Sequence, residues 1–186
     1  FFFSSRRRHT RCSRDWSSDV VLFRSIDNNL NWDEYNLRQR TCYDMKNTQT
    51  IPIVYDEDFF STNFEPIFTK NYTLFESELQ NISEIIKNHT EGRGYLLRAI
   101  LTKLYKKTDI LPHIDIANKT FKYSRRIHIP LITNPDCIFT VDDESINMKE
   151  GEIWEMNNDK LKHSVHNNGN EDRVHLIIDW CEKTPD

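Results

Sequence analysis

Apolar positions along this chain follow two kinds of spacing, one helical and one alternating. Leu74, Leu79, Ile82, Ile85 and Ile86 recur close to helical spacing, which predicts an amphipathic helix whose apolar stripe packs against a sheet. Thr73, with Glu76 three residues on, forms a candidate cap, and Glu91-Gly92-Arg93-Gly94 a turn that ends the helix. After Gly94 the pattern switches to strands. Tyr95 to Tyr105 reads as one, although Leu97, Ile100, Leu101 and Leu104 also fit a helical stripe. Arg125 to Thr133, Cys137 to Val141, Glu152 to Met156, Lys162 to Asn167 and Arg173 to Trp180 are short, rich in Ile, Val and aromatics, and divided by turn-formers. Those turns are Asn134-Pro135-Asp136, Asp142-Asp143, Glu150-Gly151 and Asn167 to Asn170. Ahead of the helix, Thr50 to Tyr55 is strand-like, and its Pro52 places it at an edge or bulge. Many short strands with a helix ahead of them predict a mainly β sandwich or barrel, buttressed by the helix on one side.

Composition narrows the picture. At 186 residues the chain has the length of one domain, and its 37% hydrophobic and 29% charged residues suit a soluble globular protein. No apolar run has the length of a membrane span. Cys12, Cys42, Cys137 and Cys181 lack paired close spacing, which argues against a zinc site or a disulfide framework and points to a reducing, cytoplasmic compartment. Residues 1–25 differ from the rest, with Arg6, Arg7, Arg8, Arg11, Arg14 and Arg24 against Asp15 and Asp19 and no hydrophobic periodicity. A basic arm for nucleic acid and a disordered tail are two readings of this stretch. The string from Ser4 to Val20 also resembles the conceptual translation of sequencing-adapter read-through, so residues 1–25 are expected to lie outside the natural domain, which would span residues 26–186. That body carries 19 basic and 27 acidic groups, a net charge of −8, which repels a phosphate backbone and makes nucleic acid an unlikely partner.

The chemistry concentrates in the last 75 positions. His113-Ile114-Asp115, then His163, then Arg173 supply two imidazoles, one carboxylate and an arginine. Two His and one carboxylate are the donor set that holds a mononuclear Fe(II) on one face and leaves other positions open. In a strand His113 and Asp115 project to the same side, with Ile114 opposite, and Pro112 restricts Leu111 to an extended conformation. An arginine that stays charged and pairs bidentately suits a carboxylate of a cosubstrate. His166 competes with His163 for the distal position, but it faces the opposite way in a strand. His175 shares a face with Arg173, as a pocket residue or as a satisfied core histidine. Trp154 is a candidate substrate platform or simple packing, and Asn157 with Asn158 a tight turn.

From Tyr95 to Trp180, and more weakly from Trp32, the chain resembles the aspartyl/asparaginyl β-hydroxylase family, which includes bacterial cis-hydroxylases of free proline. The matching pieces are Pro112-His113-Ile-Asp115, Arg126-Ile-His128-Ile-Pro-Leu131, Gly151-Glu-Ile-Trp154, Asn157-Asn158, His163-Ser-Val165 and Arg173-Val-His-Leu-Ile-Ile-Asp179. The resemblance implies a double-stranded β-helix, a jelly-roll barrel over about residues 94–181, with Fe(II) and 2-oxoglutarate inside. By resemblance His113, Asp115 and His163 would be the metal ligands and Arg173, ten residues after His163, would grip the distal carboxylate of 2-oxoglutarate. Arg126 and His128, alternating with Ile127, would bind the same cosubstrate, with Arg125 pointing outward. Thr102, eleven residues before His113, matches a cosubstrate-contacting hydroxyl position, or is an ordinary strand threonine.

The implied reaction is hydroxylation by O₂, coupled to conversion of 2-oxoglutarate to succinate and CO₂. The substrate would be a free amino acid or an aspartyl, asparaginyl or prolyl residue. Two rival classes are a cupin-like metal barrel without oxygenase activity, which needs the metal ligands but not Arg173 and Arg126, and an interaction domain whose His and Asp merely hydrogen-bond.

Overall fold

The structure is a computed structural model and describes residues 9–12, 30–57, 65–115, 124–156 and 161–182, the first of these in backbone only. Ten strands form two antiparallel sheets. They are β1 (His9–Cys12), β2 (Thr48–Val54), β3 (Tyr95–Leu104), β4 (Thr108–His113), β5 (Ser124–Ile132), β6 (Cys137–Val141), β7 (Glu144–Ile146), β8 (Ile153–Met156), β9 (His163–Asn167) and β10 (Arg173–Cys181). The larger sheet has the order β1-β8-β5-β10-β3-β2 and the smaller β4-β9-β6-β7. From β3 onward the chain alternates between the two sheets, except where β6 and β7 follow one another as a hairpin, so the two sheets face each other as a double-stranded β-helix.

Two helices precede the barrel, α1 (Leu37–Thr41) and α2 (Glu76–His89). Leu79, Ile82, Ile85 and Ile86 of α2 join one buried cluster with Ala99, Leu101, Ile127, Ile129, Val174, Leu176, Ile178 and Trp180 from the large sheet. That is the stripe-on-sheet packing expected from helical spacing. A second cluster, with Leu104, Ile110, Phe139, Val141, Met156 and Val165, lies between the sheets. Tyr95 to Leu104 is a strand despite its helical spacing, because both of its faces are covered and apolar residues occupy both.

Two local expectations change and two hold. Thr73 does not cap α2: it sits in the 3₁₀ turn Tyr72–Leu74, its hydroxyl bonds Lys70 O at 3.5 Å, and Phe75 occupies the N-cap position without a side-chain bond. The strand β7, whose single apolar residue is Ile146, completes a hairpin after the Asp142-Asp143 turn. Pro52 satisfies both readings offered for it, since β2 is the sheet edge and its pairing with β3 slips between Pro52 and Val54. The helix ends as expected, with Gly92 at φ 80° and its N–H on Lys87 O at 2.8 Å. Gly94 is required by close approach, because a Cβ there would fall 2.7 Å from Cys181 O, with φ at 90°.

Candidate functional site

His113 and His163 are fifty residues apart in sequence but directly opposite each other across the β4–β9 pairing. Cross-strand partners place their side chains side by side, and the two rings have centroids 4.2 Å apart. A bulge between Ile110 and His113, at Pro112, re-aims the end of β4. Asp115 follows just past the strand, with Oδ1 3.7 Å from His113 Nε2 and Oδ2 3.8 Å from His163 Nε2. Ile114 points the other way and is exposed. The three residues offer donor atoms that all lie within 4.8 Å of one another.

Both imidazoles are oriented for coordination. His113 Nδ1 lies 2.7 Å from Leu111 O and His163 Nδ1 lies 3.5 Å from Leu161 O, so the Nδ1–H donates and Nε2 keeps its lone pair, the backbone carbonyl fixing the tautomer. Burial pushes the His163 imidazole down to about 4, against the pull of Asp115. Burial alone would raise Asp115, but Arg126, His163 and His113 hold it at about 2. Two imidazoles and one carboxylate fit a divalent cation such as Fe(II). His166, by contrast, is exposed and paired with Asp109.

On the large sheet, β10 is buried at all nine positions, and alternation points Arg173, His175, Ile177 and Asp179 toward the barrel interior. Cross-strand register supplies their neighbours: His175 opposite Thr102, Ile177 opposite His128, and Asp179 between Arg98 and Arg126. Arg126 donates from Nε and Nη2 to Asp179 at 2.8 and 3.3 Å, and from Nη1 to Asp115. Arg98 pairs with the same Asp179. Burial opposes charge on Arg126, yet the two carboxylates raise it. Arg125 faces out as expected, onto Glu155 and Glu182.

Arg173 is different. It is only 2% exposed, its Nη2 donates to His175 Nδ1 at 2.7 Å, its Nε has no partner, and no carboxylate pairs with it among the described residues. Burial lowers it to about 10, still charged at neutral pH. His128 and His175 are held well below their ordinary range, first by burial and then by Arg173, so both are neutral. An uncompensated buried cation costs several kcal/mol, and Arg173 is not the only unsatisfied group. Thr102 Oγ1, His113 Nε2 and His128 Nε2 are also buried without hydrogen-bond partners. All four residues line one pocket, together with Asp115, Arg126, His163, Phe139, Ile177 and Arg38. A buried polar group needs a partner, and here the missing partners are a metal ion and an anion.

Every residue singled out in the sequence as a ligand or cosubstrate contact therefore lines the same cavity. Trp154 is half-buried, donates to Glu152 at 2.8 Å and packs in the inter-sheet core; Asn157 and Asn158 lie outside the described residues. Four participants had not been singled out. Asp179 and Arg98 brace Arg126, Phe139 stacks on His163 with centroids 6.0 Å apart, and Arg38 enters the pocket from α1. Asp179 was detectable: it continues the period-two run that begins at Arg173 and sits in an otherwise apolar strand end.

Comparisons with known proteins agree with this architecture. The chain is similar to a 2OG-Fe(II) oxygenase family oxidoreductase from Burkholderia pseudomallei, at 12% identity and TM-score 0.70, covering 95% of this chain and 85% of that one. It is similar to HygX from Streptomyces hygroscopicus, solved with nickel and 2-oxoglutarate bound, at 11% identity and TM-score 0.63, covering 95% and 83%. A Pseudomonas putida prolyl-4-hydroxylase matches at 11% identity and TM-score 0.58, covering 97% and 95%. At such identities the likeness establishes the fold. The sequence model for aspartyl/asparaginyl beta-hydroxylase matches residues 8–183, and the chain belongs to that family.

Proposed function

We propose that this protein is an Fe(II)- and 2-oxoglutarate-dependent hydroxylase acting on an amino acid or on an aspartyl, asparaginyl or prolyl residue. The observation that carries this reading is Arg173, a buried guanidinium without a carboxylate among the described residues, in the same pocket as a two-His, one-carboxylate cluster. A cupin-like barrel without a cosubstrate would leave that charge uncompensated. His113, Asp115 and His163 would hold the metal, Asp115 supplying the negative charge. Arg173 and Thr102 would take the distal carboxylate of 2-oxoglutarate. Arg126, held by Asp179 and Asp115, would contact the cosubstrate beside His128.

When bound, the metal and cosubstrate supply the oxidising chemistry, with O₂ contributing one oxygen to succinate and one to a substrate C–H bond. The chain's own task is positioning and exclusion of water. Asp179 holds Arg126 from below, and Arg126 fixes Asp115 toward the two imidazoles. Phe139 and Ile177 keep the cavity wall dry around them. The domain proposed to do this is residues 26–186, with the barrel at about 94–181; of residues 1–25, proposed to lie outside it, His9–Cys12 nevertheless pairs with β8 at the edge of the larger sheet, and the family match begins at residue 8. The setting proposed from the cysteine spacing is reducing and cytoplasmic.

The test is anaerobic addition of 2-oxoglutarate to the Fe(II)-loaded protein, followed by O₂ and a panel of the twenty amino acids and short peptides. A new visible absorption on adding 2-oxoglutarate, and substrate-dependent succinate release, are expected. Absence of both would overturn the proposal.

A further inference from the structure

Arg38 is a third guanidinium in the pocket, beside Arg126 and Arg173, and neither the metal nor the cosubstrate explains it. It lies on α1, outside the barrel, and its half-buried guanidinium meets only neutral groups: Thr50 Oγ1 at 3.5 Å from Nη1 and Met45 Sδ at 3.8 Å from Nη2. Both contacts are long and weak. No ion pair forms to it among the described residues, and the nearby Glu57 is exposed and does not reach it. Arg38 also lies close enough to Tyr35, Tyr55 and Arg98 to act on each electrostatically, although burial is the larger influence, pushing both tyrosines up and Arg98 down.

Charge bookkeeping turns this into a statement about the substrate. The pocket and the residues bonded to it hold four guanidinium groups, Arg38, Arg98, Arg126 and Arg173, against two carboxylates, Asp115 and Asp179. A divalent metal and dianionic 2-oxoglutarate cancel each other. Two positive charges therefore remain after both are bound. Arg98 and Arg126 share Asp179, while Arg126 also holds Asp115 and Arg173 is assigned to the cosubstrate. Among the described residues the arginine left with no anion is Arg38. It lies over Thr50, and Thr50 pairs with Thr102 in the sheet, so it borders the cosubstrate region without belonging to the barrel wall.

We propose that Arg38 receives a carboxylate of the primary substrate, so that the enzyme selects an anionic substrate over its uncharged counterpart. This rests on the hydroxylase reading above and deepens it. The carboxylate has two candidate sources with the same chemistry, the α-carboxylate of a free amino acid and the side chain of an aspartyl residue in a peptide. A planar guanidinium serves either, because it pairs bidentately with a carboxylate and accepts nothing from an amide N–H.

The experiment is calorimetric titration of the full chain loaded with Ni(II) and 2-oxoglutarate, so that no turnover intervenes. The probes are L-proline against L-prolinamide, L-aspartate against its diamide, and an N-acetylated, C-amidated peptide with a central Asp against the same peptide with Asn. At least one carboxylate probe is expected to bind ten or more times tighter than its amide. Arg38→Ala is expected to erase that ratio and Arg38→Lys to keep part of it, with the Kd for 2-oxoglutarate moving by less than about twofold in either. The free acids responding places the α-carboxylate on Arg38; the peptide responding places the side chain there. Equal binding of acid and amide, unchanged selectivity in Arg38→Ala, or no binding of any acid overturns the proposal. The 2-oxoglutarate titration in the same samples reports separately on the hydroxylase reading, since its failure leaves the Arg38-dependence of acid binding to be judged by itself.

Discussion

The two faces of strand β10 are equally buried and chemically opposite. Outward, Val174, Leu176, Ile178 and Trp180 join the apolar cluster that includes α2; inward, Arg173, His175 and Asp179 are 1–2% exposed and charged or polar. The outer face contributes stability: each aliphatic side chain there gains about 1.5–3 kcal/mol by burial. The inner face offsets some of it, because Arg173 is desolvated without a counter-ion among the described residues and Thr102, His113 and His128 leave polar atoms unbonded there. Strain of this kind persists only where the rest of the fold over-determines the geometry. The same strand thus does two jobs, and mutations should separate them.

The largest separation is expected at the metal cluster. His163→Ala removes one of two imidazoles whose Nδ1 faces a backbone carbonyl, and Fe(II) binding and succinate release should fall at least a hundredfold. His166→Ala, three residues on and turned toward Asp109, should stay within about twofold of wild type. Metal titration followed by succinate assay reads both, and equal losses would remove the distinction between the two faces of β9. Next comes Arg173→Met. The Kd for 2-oxoglutarate should rise upward of about thirtyfold, since truncating one member of a buried charge pair costs about 2 kcal/mol or more. The unliganded variant should nevertheless melt higher than wild type, because an uncompensated buried charge has been replaced by an apolar chain. A lower melting temperature without ligand would mean that Arg173 already has a counter-ion.

The outer face was more legible in the sequence than the inner one, for a physical reason. Apolar stripes such as Leu79, Ile82, Ile85 and Ile86 carry their own periodicity, and alternation in β5, β6 and β9 placed those strands within a residue or so. Alternation also separated Arg126 from Arg125 and His163 from His166. What alternation cannot show is register. That Asp179 stands between Arg98 and Arg126 depends on how three strands far apart in sequence slide against one another, and two bulges alter that slide. Arg38 was invisible for a different reason: an arginine beside Arg40 in a five-residue helix looks like solvated surface until a pocket is seen beneath it. Thr73 failed as a cap because the chain enters α2 through a 3₁₀ turn that shifts the helix start past it.

On the outer face, Ile178→Ala should lower unfolding stability by about 2–5 kcal/mol, the usual range for a fully buried aliphatic residue, while the 2-oxoglutarate Kd of the folded protein stays within about twofold. Ile178 is 0% exposed and its neighbours on the inner face are two different side chains, Ile177 and Asp179, so the cavity opens toward α2 and not toward the metal cluster. Denaturant melts with and without 2-oxoglutarate measure the two effects together, and a large change in affinity would show that the faces are coupled through the strand.

The smallest expected effect is also the finest test of the inner face. Thr102→Val keeps the β-branched shape that suits β3 and deletes only the hydroxyl, whose oxygen is buried without a partner. If that hydroxyl waits for the cosubstrate, its loss removes one hydrogen bond worth about 1 kcal/mol, and the 2-oxoglutarate Kd should rise about fivefold. Removing an unsatisfied polar group should leave the unliganded protein as stable as wild type or slightly more so. An ordinary strand threonine would give the opposite pair of results, with unchanged affinity and some loss of stability. The sign of the stability change, read with the affinity, therefore decides whether Thr102 belongs to the face that binds or to the face that holds the fold together.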